Sequence, residues 1–150
     1  QDSINTEREN EVPFCAVTMS STPLQAVITK EAPAPVGPYN QAVIAGGWLY
    51  CSGQIPLDPG TGTMVGGGNV EEETRQVLRN LKAVLLEAGT DPSKVVRTTV
   101  FLVDLSDFQA VNAIYAEMFG DGVSPARACV QVAALPKGSK VEIDCIACLN

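Results

Sequence analysis

Residues 124–147 read SPARACVQVAALPKGSKVEIDCIA, a stretch in which apolar and polar side chains alternate on both sides of a short turn. Side chains of a strand point alternately to the two faces of its sheet, so each half predicts a strand with one apolar face. The turn, Leu135-Pro136-Lys137-Gly138, predicts that the two strands pair as a hairpin. Polar side chains on the other face are Arg127, Cys129 and Gln131 on the first strand and Lys140, Glu142 and Asp144 on the second.

The chemistry of this polar face admits two interpretations. The guanidinium of Arg127 presents N–H groups in a planar fork that fits a carboxylate, and Glu142 is suited to position or activate a water molecule. Together they predict a pocket for a small carboxylic acid. The alternative is the outer face of a half-exposed antiparallel sheet, and the hairpin alone favours that alternative. In either case Asp144 is expected to face solvent or a lysine.

Composition and charge restrict the function. The chain has 150 residues and is 45% hydrophobic, which is typical of one globular domain. The formal net charge is -7 and the basic residues form no run, which argues against binding to the phosphate backbone of a nucleic acid. No apolar run is long enough for a membrane helix. The absence of His excludes Ser-His-Asp and Cys-His catalysis and any His-ligated metal site.

The cysteines predict free thiols. Five of them at irregular spacing do not form a disulfide framework, so we predict a reducing compartment and a cytoplasmic location. An organelle remains open, although no transit peptide is evident. Cys145-Ile-Ala-Cys148 matches C-x-x-C, but residues three apart on a strand face opposite ways. These two thiols are therefore predicted to belong to the core.

The chain divides into a leader and one domain. Residues 1–18 are polar, acidic and without periodicity, and we predict that they form a disordered leader outside the fold. Residues 19–150 are predicted to form a single domain. Gly46-Gly47 predicts a tight hairpin turn between two early strands. Gly53 follows the second of these strands, where a glycine indicates either a close approach of the backbone to a ligand or a simple strand end.

Two helices follow from capping and periodicity. Asn69 is a predicted N-cap with acidic residues after it, and the apolar stripe from Val70 ends near Gly89. The second helix is predicted to begin near Ser106, with Gln109 completing a capping box. Asn112 lies within its apolar stripe. A buried amide needs hydrogen-bond partners, so Asn112 either fixes a nearby loop or faces a polar pocket, and both remain open.

The element order is β-β-β-α-β-α-β-β, which predicts an α+β domain with a six-stranded mixed sheet and two helices on one face. Residues 95–103 form a predicted strand that is apolar on both faces, and such a strand lies in the middle of a sheet that is covered on both sides. Two helices cover only one side. We therefore expect self-association to cover the other.

Several ordered motifs resemble those of the RidA/YjgF family of reactive intermediate deaminases. The resemblance runs from Leu24 to Ala147 and leaves out the leader. It rests on these segments, in chain order: Pro35-Val36-Gly37-Pro38-Tyr39, Ser52-Gly53-Gln54-Ile55-Pro56, TTVFLVDL at 98–105, FQAVNAIY at 108–115, Pro125-Ala126-Arg127-Ala128-Cys129-Val130, Leu135-Pro136 and Val141-Glu142-Ile143.

The resemblance implies a chorismate-mutase-like fold in a homotrimer, whose sheets form a barrel with the helices outside and whose ligand clefts lie at subunit interfaces. It also implies hydrolysis of 2-imino acids, 2-iminobutanoate and 2-iminopropanoate, to 2-keto acids and ammonia, without metal or cofactor. Expected partners are therefore these small acids and further copies of the chain.

The resemblance also implies the site. Arg127 matches the arginine that grips the substrate carboxylate, and Glu142 matches the glutamate associated with the hydrolytic water; these two are the predicted catalytic residues. The predicted substrate-binding residues are Tyr39, Ser52, Gly53, Asn112, Arg127 and Cys129. Cys129 is expected to contribute its backbone rather than its sulfur, because no histidine activates the thiol. Tyr39 and Gly53 are expected from one subunit, and Arg127 and Glu142 from its neighbour.

Other functions remain open. Some relatives are described as translation inhibitors or ribonucleases, although the negative charge of this chain counts against affinity for RNA. A non-catalytic role, as a chaperone-like or metabolite-binding protein, would use the same cleft.

Overall fold

A computed structural model of the chain describes residues 23–149. The predicted leader at 1–18 lies outside these residues. The strands are β1 (Gln25–Val27), β2 (Ala42–Ala45), β3 (Trp48–Gln54), β4 (Val95–Leu102), β5 (Ala126–Gln131) and β6 (Val141–Cys148). The helices are α1 (Val70–Glu87) and α2 (Phe108–Phe119). The predicted element order and the six-stranded mixed sheet with two helices are confirmed.

The strand order in the sheet is β1-β2-β3-β6-β4-β5. All neighbours are antiparallel except β4 and β5, which are parallel. Helix α2 connects β4 to β5, and a helical crossover of this kind returns the chain to the end from which it started, so β5 runs in the direction of β4. The predicted hairpin of β2 and β3 is confirmed: Ala45 lies opposite Trp48, and Gly46-Gly47 form the turn between them.

The hairpin predicted for 124–147 is wrong. Both of its strands exist, but β4 lies between β5 and β6 and pairs with each of them. The turn residues between β5 and β6 do adopt turn geometry, with positive φ at Lys137 and Gly138. A turn only brings the chain back toward the sheet, whereas the neighbours of a strand depend on burial. Strand β4 is apolar on both faces and therefore takes the inner position.

The start of α1 is built as its sequence predicts. The Asn69 side chain accepts hydrogen bonds from the N–H groups of Glu71 and Glu72 at 2.9 and 3.1 Å. Glu73 is not a surface charge of the first helical turn. It is buried, and its carboxylate accepts the N–H of Lys140 at 2.7 Å, which ties the start of α1 to the residue before β6.

The capping box predicted for the second helix is wrong. A short 3-10 turn at Leu105–Asp107 precedes α2, and the Asp104 side chain accepts the N–H of Ser106 at 2.8 Å. Asp104 thus caps this turn, and α2 itself begins at Phe108 without a side-chain cap. An aspartate two residues before a free N–H offers the same hydrogen bond as the predicted serine.

The core lies between the sheet and the two helices. Its fully buried side chains include those of β6 that point toward α1, namely Val141, Ile143, Cys145 and Ala147. The other face of the sheet is open in the single chain. Tyr50 and Val130 remain 47% and 42% exposed there, so the apolar outer face needs a partner, and self-association stays a prediction.

Gln41 holds the proline-rich loop that precedes β2. Its side chain is 1% exposed and accepts the N–H of Thr29 at 2.7 Å. Its amide nitrogen donates to the carbonyl oxygens of Thr29, Ala32 and Pro33 at 3.0, 3.1 and 2.8 Å. The proline-rich loop has no neighbouring strand to bond its N–H and C=O groups. The side chain of Gln41 takes the place of such a strand.

Gln41→Leu is expected to lower the free energy of unfolding by about 2–4 kcal/mol, because buried backbone groups lose their partners. Urea denaturation measures this, with Gln109→Leu on the exposed side of α2 as the matched control. An equal, small effect of both substitutions would show that the loop is held by other contacts.

Candidate functional site

Two groups of predicted site residues come together in the chain. The first, which we call the Glu142 cluster, lines a cavity of about 360 Å³ beside the proline-rich loop. It includes three predicted residues besides Glu142 and three apolar residues that the sequence did not indicate. Its members are Val36, Tyr39, Ser52, Gly53, Ile55, Pro136 and Glu142.

Gly53 and Glu142 are in direct contact. The pairing of β3 with β6 shifts register between Cys51 and Gln54, which marks a bulge where Gly53 lies. A Cβ atom at Gly53 would lie 2.8 Å from Cδ of Glu142, closer than real atoms approach. Of the two alternatives for Gly53, the structure supports the close approach, and in this chain the group that approaches is the Glu142 side chain.

Tyr39 and Ser52 are held by the backbone around them. The Tyr39 hydroxyl accepts the N–H of Val36 at 3.2 Å, and the Ser52 hydroxyl donates to the carbonyl oxygen of Asn40 at 2.6 Å. The N–H of Ser52 also donates to the carbonyl of Gln41 at 3.0 Å. These bonds fix the loop against β3, so one wall of the cavity is formed before any ligand arrives.

The Glu142 carboxyl lies in a partly buried, negatively charged setting. Burial raises its pKa above the ordinary value of 4.5, and the neighbouring Asp144 carboxylate raises the pKa further. Asp144 was expected to face solvent or a lysine; it lies on the open face but has a backbone partner there. It is half-buried and accepts the backbone N–H of Thr99 at 3.0 Å. Glu142 is thus suited to hold a proton at a pH where an ordinary glutamate has lost it.

The second group, the Arg127 cluster, consists of Arg127 and Cys129 on β5 with Phe108, Asn112 and Tyr115 on α2. The three helical residues are spaced i, i+4 and i+7, so they form one stripe that faces β5. Asn112 Oδ1 accepts a hydrogen bond from Arg127 Nη1 at 2.7 Å. Of the two alternatives for Asn112, the structure supports the polar site: its amide holds the arginine rather than a loop.

The guanidinium of Arg127 lies over two aromatic rings. Its central carbon is 4.8 Å from the ring centre of Tyr115 and 5.6 Å from that of Phe108. Arg127 forms no salt bridge with any residue of 23–149, the range in which Arg75 pairs with Glu117. A cation that is oriented by its own chain yet lacks an internal anion is available to an external carboxylate.

The thiol of Cys129 is not activated, whereas its N–H group is unused by the neighbouring strand. Burial raises the pKa of its thiol, and the positive charge of Arg127 offsets this only in part. The N–H of Val132 bonds to Leu102 on β4, so in a parallel ladder the N–H of Cys129 points to the open edge of β5. The predicted backbone role is consistent with this geometry.

The two clusters lie on opposite faces of the sheet. Thr98 on β4 is in register with both Arg127 and Cys145, and Cys145 is buried beneath the helices. Glu142 is three residues before Cys145, so it points to the other face. The expectation that one subunit supplies Arg127 together with Glu142 is therefore wrong in its grouping, because Glu142 belongs with Tyr39 and Gly53.

Comparison with known proteins agrees with this fold. The sequence profile of the family described as Endoribonuclease L-PSP matches residues 29–149. A RutC family protein of Synechocystis is 58% identical over 126 residues, which cover 84% of this chain and 97% of that protein. The chain belongs to the RidA/YjgF family.

Two further RidA/YjgF relatives carry functional information. Human 2-iminobutanoate/2-iminopropanoate deaminase is 49% identical over 129 residues, covering 86% of this chain and 93% of the human protein. The crystal structure of Escherichia coli TdcF with bound serine superimposes with a TM-score of 0.78 at 40% identity, covering 83% of this chain and 98% of TdcF.

Several residues around the site were not singled out as functional by the sequence. Phe108 and Tyr115 were assigned to the core stripe of the helix, and their spacing on the same stripe as Asn112 was the available signal. Thr98 and Asp144 gave no signal, because their roles depend on strand register. Residues 23–149 contain no group of three or more His, Cys, Asp or Glu side chains placed to hold a metal ion.

The other described cysteines are not reactive groups of this site. The thiols of Cys51 and Cys145 face each other across β3 and β6, and a hydrogen bond between them together with burial raises the pKa of Cys145. Cys145 is buried and Cys148 is half-buried, as expected for core thiols. Within residues 23–149, neither helix is long and apolar enough to cross a membrane.

The raised pKa of Glu142 has a consequence for stability. A carboxyl whose pKa is higher in the folded chain adds most to stability below 4.5, and this contribution is lost as the pH rises through the folded-state pKa. Glu142→Gln is therefore expected to raise the midpoint of urea denaturation, relative to the parent chain, at pH 7 but not at pH 4. Glu31→Gln at an exposed position is the control. An equal gain at both pH values would contradict the assigned direction.

Proposed function

We propose that the protein hydrolyses 2-imino acids, in particular 2-iminobutanoate and 2-iminopropanoate, to 2-keto acids and ammonia. The observation that carries this proposal is the guanidinium of Arg127, which is oriented by Asn112 and two rings but forms no ion pair with residues 23–149. Such a group binds a planar carboxylate through two N–H groups. The deaminase name of the human relative and the serine bound to TdcF support a small amino-acid-like ligand.

The reaction needs little from the protein beyond position and proton transfer. Water adds to the imine carbon while one of its protons passes to nitrogen, which gives a tetrahedral amino alcohol. The hydroxyl proton then passes to nitrogen as the C=O bond forms and the C–N bond breaks, and ammonia leaves. Glu142 orients the water, accepts its proton and returns that proton to nitrogen. Its raised pKa suits both transfers, because a carboxyl with a pKa nearer neutrality serves as base and acid in turn.

Arg127 and the N–H of Cys129 hold the substrate carboxylate in this scheme, while the Glu142 cluster surrounds the reacting carbon. The apolar residues of that cluster, Val36, Ile55 and Pro136, provide contact area for a short aliphatic side chain. Holding the imine next to an oriented water supplies a large part of the rate enhancement, because both reactants are positioned before the reaction begins.

A complete pocket then requires two chains. In a single chain the two clusters lie on opposite faces of the sheet, whereas the proposed reaction needs both within a few ångströms. We infer that the chain forms a homotrimer in which the open apolar face is buried and each pocket combines the Glu142 cluster of one subunit with the Arg127 cluster of its neighbour. A cytoplasmic site of action fits the free thiols of Cys51, Cys129 and Cys145.

A ribonuclease or translation inhibitor is the main alternative, since the matching family is described as an endoribonuclease. Arg75, Arg79 and Lys82 line a groove between α1 and α2, but Arg75 is already paired with Glu117. The second alternative is a chaperone-like or purely metabolite-binding role. The assay that separates them mixes the protein with a threonine dehydratase, threonine and semicarbazide, which traps the free imine. Only an imine deaminase lowers the yield of semicarbazone.

Arg127→Ala is expected to abolish the loss of semicarbazone while the far-UV circular dichroism and the assembly state stay unchanged. Arg127→Lys is expected to retain less than about a tenth of the activity, because an ammonium lacks the planar two-point contact. Arg97→Ala, at an exposed arginine on β4, is the matched control. Full activity of a folded Arg127→Ala protein would refute the proposed carboxylate contact.

Mixing two inactive variants tests whether each pocket is shared. Arg127→Ala and Glu142→Gln chains, co-expressed with different tags and isolated as mixed trimers, are expected to recover about one third of the parental activity, because each mixed trimer has one pocket of three in which both contributors carry the unaltered residue. Mixed assemblies of Arg127→Ala with Arg127→Lys should stay inactive. No recovery in the first mixture, despite confirmed mixed assemblies, would place both residues in a pocket of one chain.

A further inference from the structure

The Arg127 cluster contains more structure than a carboxylate site needs. One hydrogen bond, to Asn112, would be enough to point the guanidinium. The chain adds two aromatic rings, from Phe108 and Tyr115, placed one helical turn on either side of Asn112. Arg127 itself is on β5, at the edge of the sheet, and is exposed. An arginine in such a position has freely rotating side-chain bonds unless something packs on it.

Tyr115 is the more firmly anchored of the two rings. It is 7% exposed, and its hydroxyl is 2.7 Å from the hydroxyl of Thr98, which is fully buried. The ring of Phe119 packs behind it, with centres 4.6 Å apart and planes inclined at 41°. Thr98 is the register partner of Arg127 on the neighbouring strand. Sheet and helix therefore meet at the Tyr115 ring, and the ring has little freedom to move.

A ring beneath a guanidinium restrains it without using its donors. Stacking engages the flat face of the group, whereas the N–H bonds lie in its plane and remain free to bind both oxygens of a carboxylate. The tyrosine hydroxyl is tied to Thr98, so Tyr115 has no polar atom left for a ligand. Its contribution to binding must act through the orientation of Arg127.

We propose that Tyr115 is a positioning residue for Arg127, and that its ring, buried and packed against Phe119, is the surface on which the guanidinium rests. The ring restricts Arg127 to the orientation in which its free N–H edge meets a substrate carboxylate. This inference rests on the proposed function for its choice of ligand, but the arrangement of ring and guanidinium is a property of the chain itself.

The first measurement is binding of 2-oxobutanoate, the product keto acid, by calorimetry. Tyr115→Leu is expected to weaken its affinity by about fivefold, the upper end for an exposed contact between a cation and a ring. The KM for the imine should rise by a similar factor, while kcat stays within about threefold, because Tyr115 acts on binding rather than on the chemical step. Tyr115→Phe keeps the ring and should restore most of the affinity.

Two controls separate positioning from general damage. Ile114→Ala removes a buried side chain from the adjacent position of α2, and it should lower the melting temperature without changing the affinity. In an Arg127→Ala background, Tyr115→Leu should cause no further loss of affinity, since the ring then has no guanidinium to orient. A Tyr115→Leu protein with parental affinity, or an equal loss in Ile114→Ala, would overturn the inference.

The second measurement needs no ligand. A ring under the guanidinium shifts the NMR signal of the Arg127 Nε–H upfield, and this shift should disappear in Tyr115→Leu and persist in Tyr115→Phe. If the parent protein neither hydrolyses imines nor binds 2-oxobutanoate, the proposed function fails, and the NMR result alone decides whether Tyr115 orients Arg127. An unchanged Arg127 signal in Tyr115→Leu would overturn the inference whatever the activity.

Discussion

The pairing of β4 with β6 on one side and with β5 on the other controls the position of nearly every side chain in the site. Register with β6 assigns Val141, Ile143 and Cys145 to the core and leaves Glu142 on the open face. Register with β5 places Arg127 beside Thr98 on the helical face. A slip of one residue in either pairing would move each of these charged groups to the opposite face. The apolar side chains of β4, which fix its inner position, therefore also separate the two clusters.

The sequence predicted the elements well and their arrangement less well. The capping by Asn69, the turn at Gly46-Gly47 and the element order follow from local chemistry, and the structure confirms them. The pairing of β5 with β6 was predicted from a turn that does exist, yet the two strands are not neighbours. A turn is encoded by adjacent residues, whereas the insertion of β4 depends on burial over the whole sheet.

The same distinction applies to the site. Arg127, Asn112 and Glu142 were identified from residue type and from family motifs, and the structure brings the first two into contact. Arg127 and Glu142 were predicted to act from the same subunit, but they lie on opposite faces of the sheet. Alternation shows which side chains of one strand share a face, but it does not show which face of the next strand lies on the same side. Thr98 lacked a signal, and the spacing of Tyr115 on the Asn112 stripe did not predict its bond to Thr98, because a hydroxyl pair between helix and strand exists only after both have packed.

In the proposed site, Arg127 is the positive group that binds substrate, and the chain around it is acidic. The chain has a formal net charge of -7, and two carboxyl side chains, those of Glu142 and Asp144, are neighbours on the face of the proposed reacting carbon. An anionic substrate is therefore attracted by a local charge rather than by the field of the whole molecule. Arg127 must accordingly be held without an ion pair to a carboxylate of its own chain. Asn112 and the two rings do this with neutral groups.

The contact between Gly53 and Glu142 also limits how such a chain can change over evolutionary time. A side chain at position 53 would overlap the Glu142 carboxylate where it lies in this chain, so the carboxylate must move before even a methyl group fits. A lineage that acquires a residue larger than glycine at 53 must displace, shorten or lose the acid at 142, and each of these changes disturbs the proposed water-handling group. The two positions are thus expected to be inherited as a pair, and a substituted position 53 in a relative would indicate a changed chemistry before any assay is done.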